Sequence, residues 1–117
     1  MTAESRDIDH LELMIELIDA IDRRLDGHSR DDFLTDRDES NLTAFRLGHI
    51  GEAAGKLSRA IRDRHPDIKW NSICGMRNII GHNYGAIIPK LLWKGSTQDL
   101  DARRTAGQME LKRLLPE

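Results

Sequence analysis

Within the stretch Arg77-Asn78-Ile79-Ile80-Gly81-His82-Asn83-Tyr84, three chemically capable side chains fall within two helical turns. Arg77 supplies a permanent cation whose planar fork matches phosphate oxygens. His82 is the residue type that exchanges a proton near neutral pH. Tyr84 carries a hydroxyl on an aromatic ring, and Asn78 and Asn83 stand between these groups as orienting amides. A cation to hold phosphate and an imidazole to move protons suit phosphodiester chemistry, with no metal required.

A helix is the element that would position this set. Arg77 and Tyr84, seven residues apart, would share one face, and Asn78 and His82, four apart, the neighbouring face. Arg77 and His82 would lie about 140° apart around the axis and about 7.5 Å apart along it. They would not touch, but both could reach one phosphate lying across the two rows. Gly81, one turn beyond Arg77, leaves space above the guanidinium at a cost in helix propensity. The plainer alternative is a surface arginine, a histidine with a structural partner and a tyrosine at a bundle edge. Spacing alone leans to that plainer alternative; asparagine is a poor helix former, and two of them beside Arg77 and His82 look like orienting groups and shift the balance a little toward the chemical reading.

The remaining pattern is helical throughout. Ile8, Leu11, Ile15, Ile18 and Leu25, with Met14 and Ile21, form an apolar stripe at helical spacing. It predicts a first helix from about Ser5 to Leu25, stopping near Gly27. A short piece, Arg30 to Thr35, lies in an acidic stretch. Ser40 or Asn41 is the expected cap of a second long helix running to about His65 and ended by Pro66. Asn71 or Ser72 would cap a third helix through the Arg–His–Tyr segment, with Gly85 as its stop. Pro89 to Trp93 is a short helical piece broken by Gly95-Ser96-Thr97, and a last helix spans about Asp99 to Leu115. No segment alternates with a strand's period. The expected fold is all-α, an up-and-down bundle of four main helices with one or two short extra ones, in a single domain over residues 1–117.

Composition narrows the function. Aromatic residues are 4% of the chain, too few for a base-stacking platform. The net charge of −2 removes any bulk positive field, so contact with nucleic acid must be local. Such a local run exists: Lys56, Arg59, Arg62, Arg64, His65 and Lys69. It is either a solvated helix end, with cations against the dipole, or an RNA-backbone track leading to the motif. Cys74 is the single cysteine, which excludes an internal disulfide and fits a reducing cytoplasm. The polar, acidic stretch Met1 to Asp9 does not resemble a signal peptide, and no apolar run reaches membrane-spanning length. Asp7 and His10, and His49 and Glu52, are carboxylate–imidazole pairs three apart. They lack the order and number of a di-metal bundle, so neither a metal nor another cofactor is expected.

Ala44, Gly48, Gly51 and Gly55 share one face of the second long helix. Each interior glycine costs about 1 kcal/mol relative to alanine, so close approach of another backbone is expected there. A helix crossing within the monomer is the favoured cause; a crevice or subunit contact is the other.

The motif and its neighbours resemble a known family. Arg77, four residues, His82, one residue, Tyr84, with Asn78 directly after the arginine, is similar to the signature of HEPN-domain proteins, and most closely of HepT-like toxin ribonucleases. Leu47-Gly48-His49-Ile50-Gly51-Glu52-Ala53-Ala54, then Pro66-Asp67-Ile68-Lys69-Trp70, then Gly75-Met76-Arg77-Asn78 and Leu92-Trp93 agree in order, and the resemblance spans about Leu11 to Leu115. The stretch Gly85-Ala86-Ile87-Ile88 departs from the more polar sequence usual after the tyrosine, which affects the surface next to the motif.

The resemblance implies a HEPN-like homodimer whose paired motif helices build a composite, metal-independent site for RNA. In it Arg77 would bind phosphate, His82 would be the general base or acid, and Asn78 would orient one of them. It also implies a cognate minimal nucleotidyltransferase antitoxin that attaches AMP to Tyr84. Lys56, Arg59, Arg62 and Lys69 are the candidate RNA-binding cations beside this site. The other reading is a non-catalytic helical module that binds substrate or nucleotide for such a nucleotidyltransferase.

Overall fold

The computed structural model describes residues 2–70 and 89–115. Within them the chain forms six helices and no strand: α1 (Ala3–Leu25), α2 (Arg30–Thr35), α3 (Arg37–Gly55), α4 (Arg59–Arg64), α5 (Pro89–Gln98) and α6 (Leu100–Leu114). The all-helical bundle expected from the sequence is the fold. The third helix expected from Asn71 or Ser72, its stop at Gly85, and Cys74 lie outside the described residues.

α1 is the central staple. The Thr2 side chain accepts from the Ser5 amide at 3.0 Å, satisfying one of the four free N–H groups of the first turn. Leu11, Met14, Ile18, Ile21 and Leu25 are its buried line, with Ile8 and Ile15 flanking it half-buried. Each fully buried aliphatic side chain contributes about 1.5–3 kcal/mol relative to exposure. The helix ends at Leu25 with Asp26 as its cap, and the chain then turns through Gly27, whose φ of 83° suits a residue without Cβ. α2 then starts on a capping box. The Ser29 hydroxyl accepts from the Asp32 amide, and the Asp32 carboxylate accepts from the Ser29 amide.

α3 and α6 pack on α1 from either side, and α5 closes the bundle against α2, α3 and α6. Phe33 of α2 is fully buried, its ring centroid 5.3 Å from that of Trp93 on α5. At the α1–α6 crossing, a Cβ on Gly107 would stand 3.2 Å from Ile15 Cδ1 and from Met14 Cε. The two helices therefore approach at a glycine that the sequence pattern did not single out. On the expected glycine face, Ala44 and Gly51 are buried, Gly48 is half-buried and Gly55 is exposed.

Three boundaries differ from expectation. The cap of α3 is Asp36, not Ser40 or Asn41: its carboxylate accepts from the Glu39 amide at 3.2 Å. Glu39 and Ser40 are buried inside the helix. Glu39 takes three hydrogen bonds from Arg24 of α1, the shortest 2.6 Å. The long helix also does not run to His65. It stops at Gly55 and restarts at Arg59, with Leu57 turned into the core between them. The Asp7 carboxylate of α1 accepts from the Ser58 amide at 2.9 Å, so the restart is tied to a helix 51 residues away in sequence. Finally, Gly95-Ser96-Thr97 does not break α5. Gly95 and Ser96 are buried, and the Thr97 hydroxyl donates to the Trp93 carbonyl at 2.7 Å, absorbed into the turn.

Candidate functional site

Arg77, Asn78, His82 and Tyr84 lie outside the described residues. The described chain shows what stands on either side of them in sequence. On the near side, Trp70 is buried in the core cluster and its indole N–H donates to the His65 carbonyl at 3.1 Å. On the far side, Pro89 opens α5, where its missing N–H costs nothing, and Leu92 joins the same core cluster. Both flanks of the motif segment are thus fastened to one hydrophobic core.

The basic run divides into two parts. Arg64 and His65 turn inward onto Glu110 of α6, which is only 1% exposed. The Arg64 Nε donates to Glu110 Oε1 at 3.0 Å, its Nη2 contacts the same oxygen, and His65 Nε2 lies 2.8 Å from Oε2. Burial pushes the Glu110 carboxyl up, but the hydrogen bonds from Arg64 and His65 outweigh it and hold the carboxyl below its usual range. These two side chains are therefore structural. Lys56, Arg59 and Lys69 are exposed and Arg62 is half-exposed. Lys56 pairs with Glu52 one turn earlier at 3.2 Å, an exposed pair of little energetic weight.

The histidine–carboxylate pairs have other roles. Asp7 caps the restart at Ser58, as described above. His49 stacks edge-on against the exposed Phe45, with centroids 4.5 Å apart, and its Nδ1 lies 3.8 Å from Glu52. Among the described residues no group of three or more histidine, cysteine, aspartate or glutamate side chains is placed to hold a metal.

Lys69 leads into a cleft that the sequence did not reveal. It has a volume of about 370 Å³ and opens between residues 67–69 and the α5–α6 junction. Lys69, Lys94 and Arg103 line it, with Asp67 and Asp99 also on its wall. Arg103 differs from the other perturbed arginines. Arg24, Arg64 and Arg104 each bind carboxylates, which strengthen their hold on the proton. Burial pushes the Arg103 guanidinium the other way, only partly opposed by the charge of Asp99. Its Nη1 donates to the Asp99 carbonyl at 2.9 Å, and its buried Nε has no partner among the described residues. Lys94 and Arg103 stand ten or more residues beyond Tyr84, so no local sequence signal ties them to Lys69.

The fold and these flanks define a compact helical bundle with a chemically loaded segment inserted between α4 and α5. The profile of the "Ribonuclease HepT-like" family matches residues 14–107, and the chain belongs to that family. It is 28% identical over 85 residues to a candidate RNase of Caldanaerobacter subterraneus subsp. tengcongensis, covering 73% of this chain and 76% of that protein. It is 29% identical over 92 residues to a candidate ribonuclease HepT of Thermococcus cleftensis, covering 79% and 84% respectively. A candidate RNase of Methanocaldococcus jannaschii is 37% identical over 51 residues, covering 44% of this chain and 47% of its own length. No solved structure gives a significant match. No helix among the described residues is long and apolar enough to cross a membrane.

Proposed function

We propose that this protein is a metal-independent endoribonuclease toxin that cuts RNA with the Arg77–His82 motif. Membership of the HepT-like ribonuclease family is the observation that carries the reading. The motif residues supply the chemistry. His82 as general base takes the proton of a ribose 2′-hydroxyl, and the 2′-oxygen attacks the adjacent phosphorus. The bond to the 5′-oxygen breaks, a protonated histidine returns a proton to that leaving oxygen, and a 2′,3′-cyclic phosphate remains. Arg77 stabilises the charge that develops on the phosphoryl oxygens, and Asn78 orients His82 or the phosphate. Two copies facing one groove would supply two such sets, so the active form is a homodimer. A cognate nucleotidyltransferase antitoxin attaches AMP to Tyr84, placing a phosphate where Arg77 would hold substrate. The working compartment is the cytoplasm.

The test is RNA cleavage by the purified protein with excess chelator present. Activity is expected, ending in cyclic phosphate, and both Arg77→Ala and His82→Ala should abolish it while leaving helical content unchanged. Cleavage that survives both substitutions refutes the assignment. Absence of any cleavage by the native chain points to the non-catalytic module instead.

A further inference from the structure

We propose that the cleft formed by Lys69, Lys94 and Arg103 is an exosite that holds a backbone phosphate of the RNA away from the bond being cut. The inference rests on the ribonuclease reading above and assigns to it a substrate-binding surface that the motif itself does not include. Three observations converge. The first is cationic charge that no close ion pair neutralises. None of the three cations has a carboxylate partner within 4.0 Å among the described residues, although Asp67 and Asp99 share the wall. Every other arginine whose proton affinity is perturbed does have one.

The second is the state of Arg103. A half-buried guanidinium with a buried, unpaired Nε has lost water without gaining a hydrogen-bonded anion among the described residues. Such a group is poised for an anionic ligand, because binding one restores the missing electrostatic partner without further desolvation of the arginine. Its Nη1 bond to the Asp99 carbonyl holds the fork in place before any ligand arrives. The third is location and size. Lys69 is eight residues before Arg77 in sequence and next to the buried Trp70, while Lys94 projects from the helix that resumes the chain after Tyr84. The cleft volume of about 370 Å³ lies within the range of small-ligand sites. Its other lining residues include Ile68 and Ala102, apolar surface against which a sugar could rest.

Single-stranded RNA meets these requirements through a repeating phosphate with a ribose on each side. A contact of this kind adds affinity without sequence preference and makes binding sensitive to salt.

The experiment uses full-length His82→Ala protein, which binds without cutting, and a fluorescein-labelled single-stranded RNA followed by anisotropy across a salt series. The double variant Lys69→Glu/Lys94→Glu on that background should bind about tenfold or more weakly. Its salt slope should fall by about 1.4, from two lost contacts at about 0.7 each for single strands. Arg103→Met should weaken binding in the same direction, and Lys112→Glu, an exposed charge reversal on α6, should not. Since both lysines are exposed, the double variant is expected to fold, and its circular dichroism is compared first. In parallel, the same substitutions are placed in the active chain and cleavage is followed. Unchanged binding and unchanged cleavage in the double variant overturn the exosite while leaving the ribonuclease reading intact. Lysine-dependent RNA binding by a native chain that cuts nothing supports the cleft as a phosphate-binding site for RNA and overturns both its role as an exosite and the ribonuclease reading. A native chain that neither binds nor cuts RNA overturns both.

Discussion

Glu110→Gln tests the tie that holds the end of the basic run to the last helix. The carboxylate is almost completely buried and receives Arg64 and His65 on its two oxygens. Removing one partner of a buried ion pair costs about 3–5 kcal/mol when the other charge stays trapped. Two features reduce that here. The Arg64 side chain is 36% exposed and can swing into water, and glutamine keeps one acceptor oxygen for either donor. The expected loss is about 2–3 kcal/mol, which for a domain of this size lowers Tm by about 8–12 °C.

The pH dependence is the more decisive readout. A carboxyl held below its usual value in the fold contributes stability that is present above the unfolded pKa. That stability is lost as pH falls through the folded pKa. The native protein's advantage over Glu110→Gln should therefore be full at pH 7 and narrow progressively as pH drops below about 4.5. Thermal unfolding followed by circular dichroism at a series of pH values measures it. A Tm within about 2 °C of the native value at pH 7 would refute the reasoning. So would a gap that stays constant into strong acid.

Other substitutions test the remaining joints. Asp7→Ala removes the acceptor of the Ser58 amide at the start of α4 and should cost about 1–2 kcal/mol in denaturant unfolding, an amount typical of a lost cap. Gly107→Ala should change stability by less than about 1 kcal/mol, because better helix propensity offsets a Cβ placed 3.2 Å from Ile15 Cγ1 and Cδ1 and Met14 Cε, which need give by only a few tenths of an ångström. Gly107→Leu has no such room and should destabilise by about 1–3 kcal/mol or more. Co-expression with a neighbouring nucleotidyltransferase should add one or more adenylate masses to the chain, lost in Tyr84→Phe. An inactive complex of unshifted mass would indicate occlusion by the partner.

The amino-acid order determined the elements whose signals are local. The stripe from Leu11 to Leu25, the stop at Gly27 and the short helix Arg30–Thr35 all depend on contacts within a turn or two, and all three stand where the pattern put them. The motif that carries the family resemblance is also a matter of spacing alone. Tertiary structure decided the features whose partners are distant. The break at Lys56–Ser58 carries local marks, a glycine at 55 and a serine at 58, but it is completed by Asp7 across the bundle. The basic run looked uniform, yet Arg64 and His65 are drawn inward by a glutamate some 45 residues further on. Gly107 marks the approach of α1 and α6, through contacts with Ile15 and Met14 some 90 residues away in sequence. Lys69, Lys94 and Arg103 share a cleft only because the α5–α6 junction packs beside residues 67–69. Helix propensity and capping act over one or two turns, whereas pairing between helices depends on which faces the core brings together.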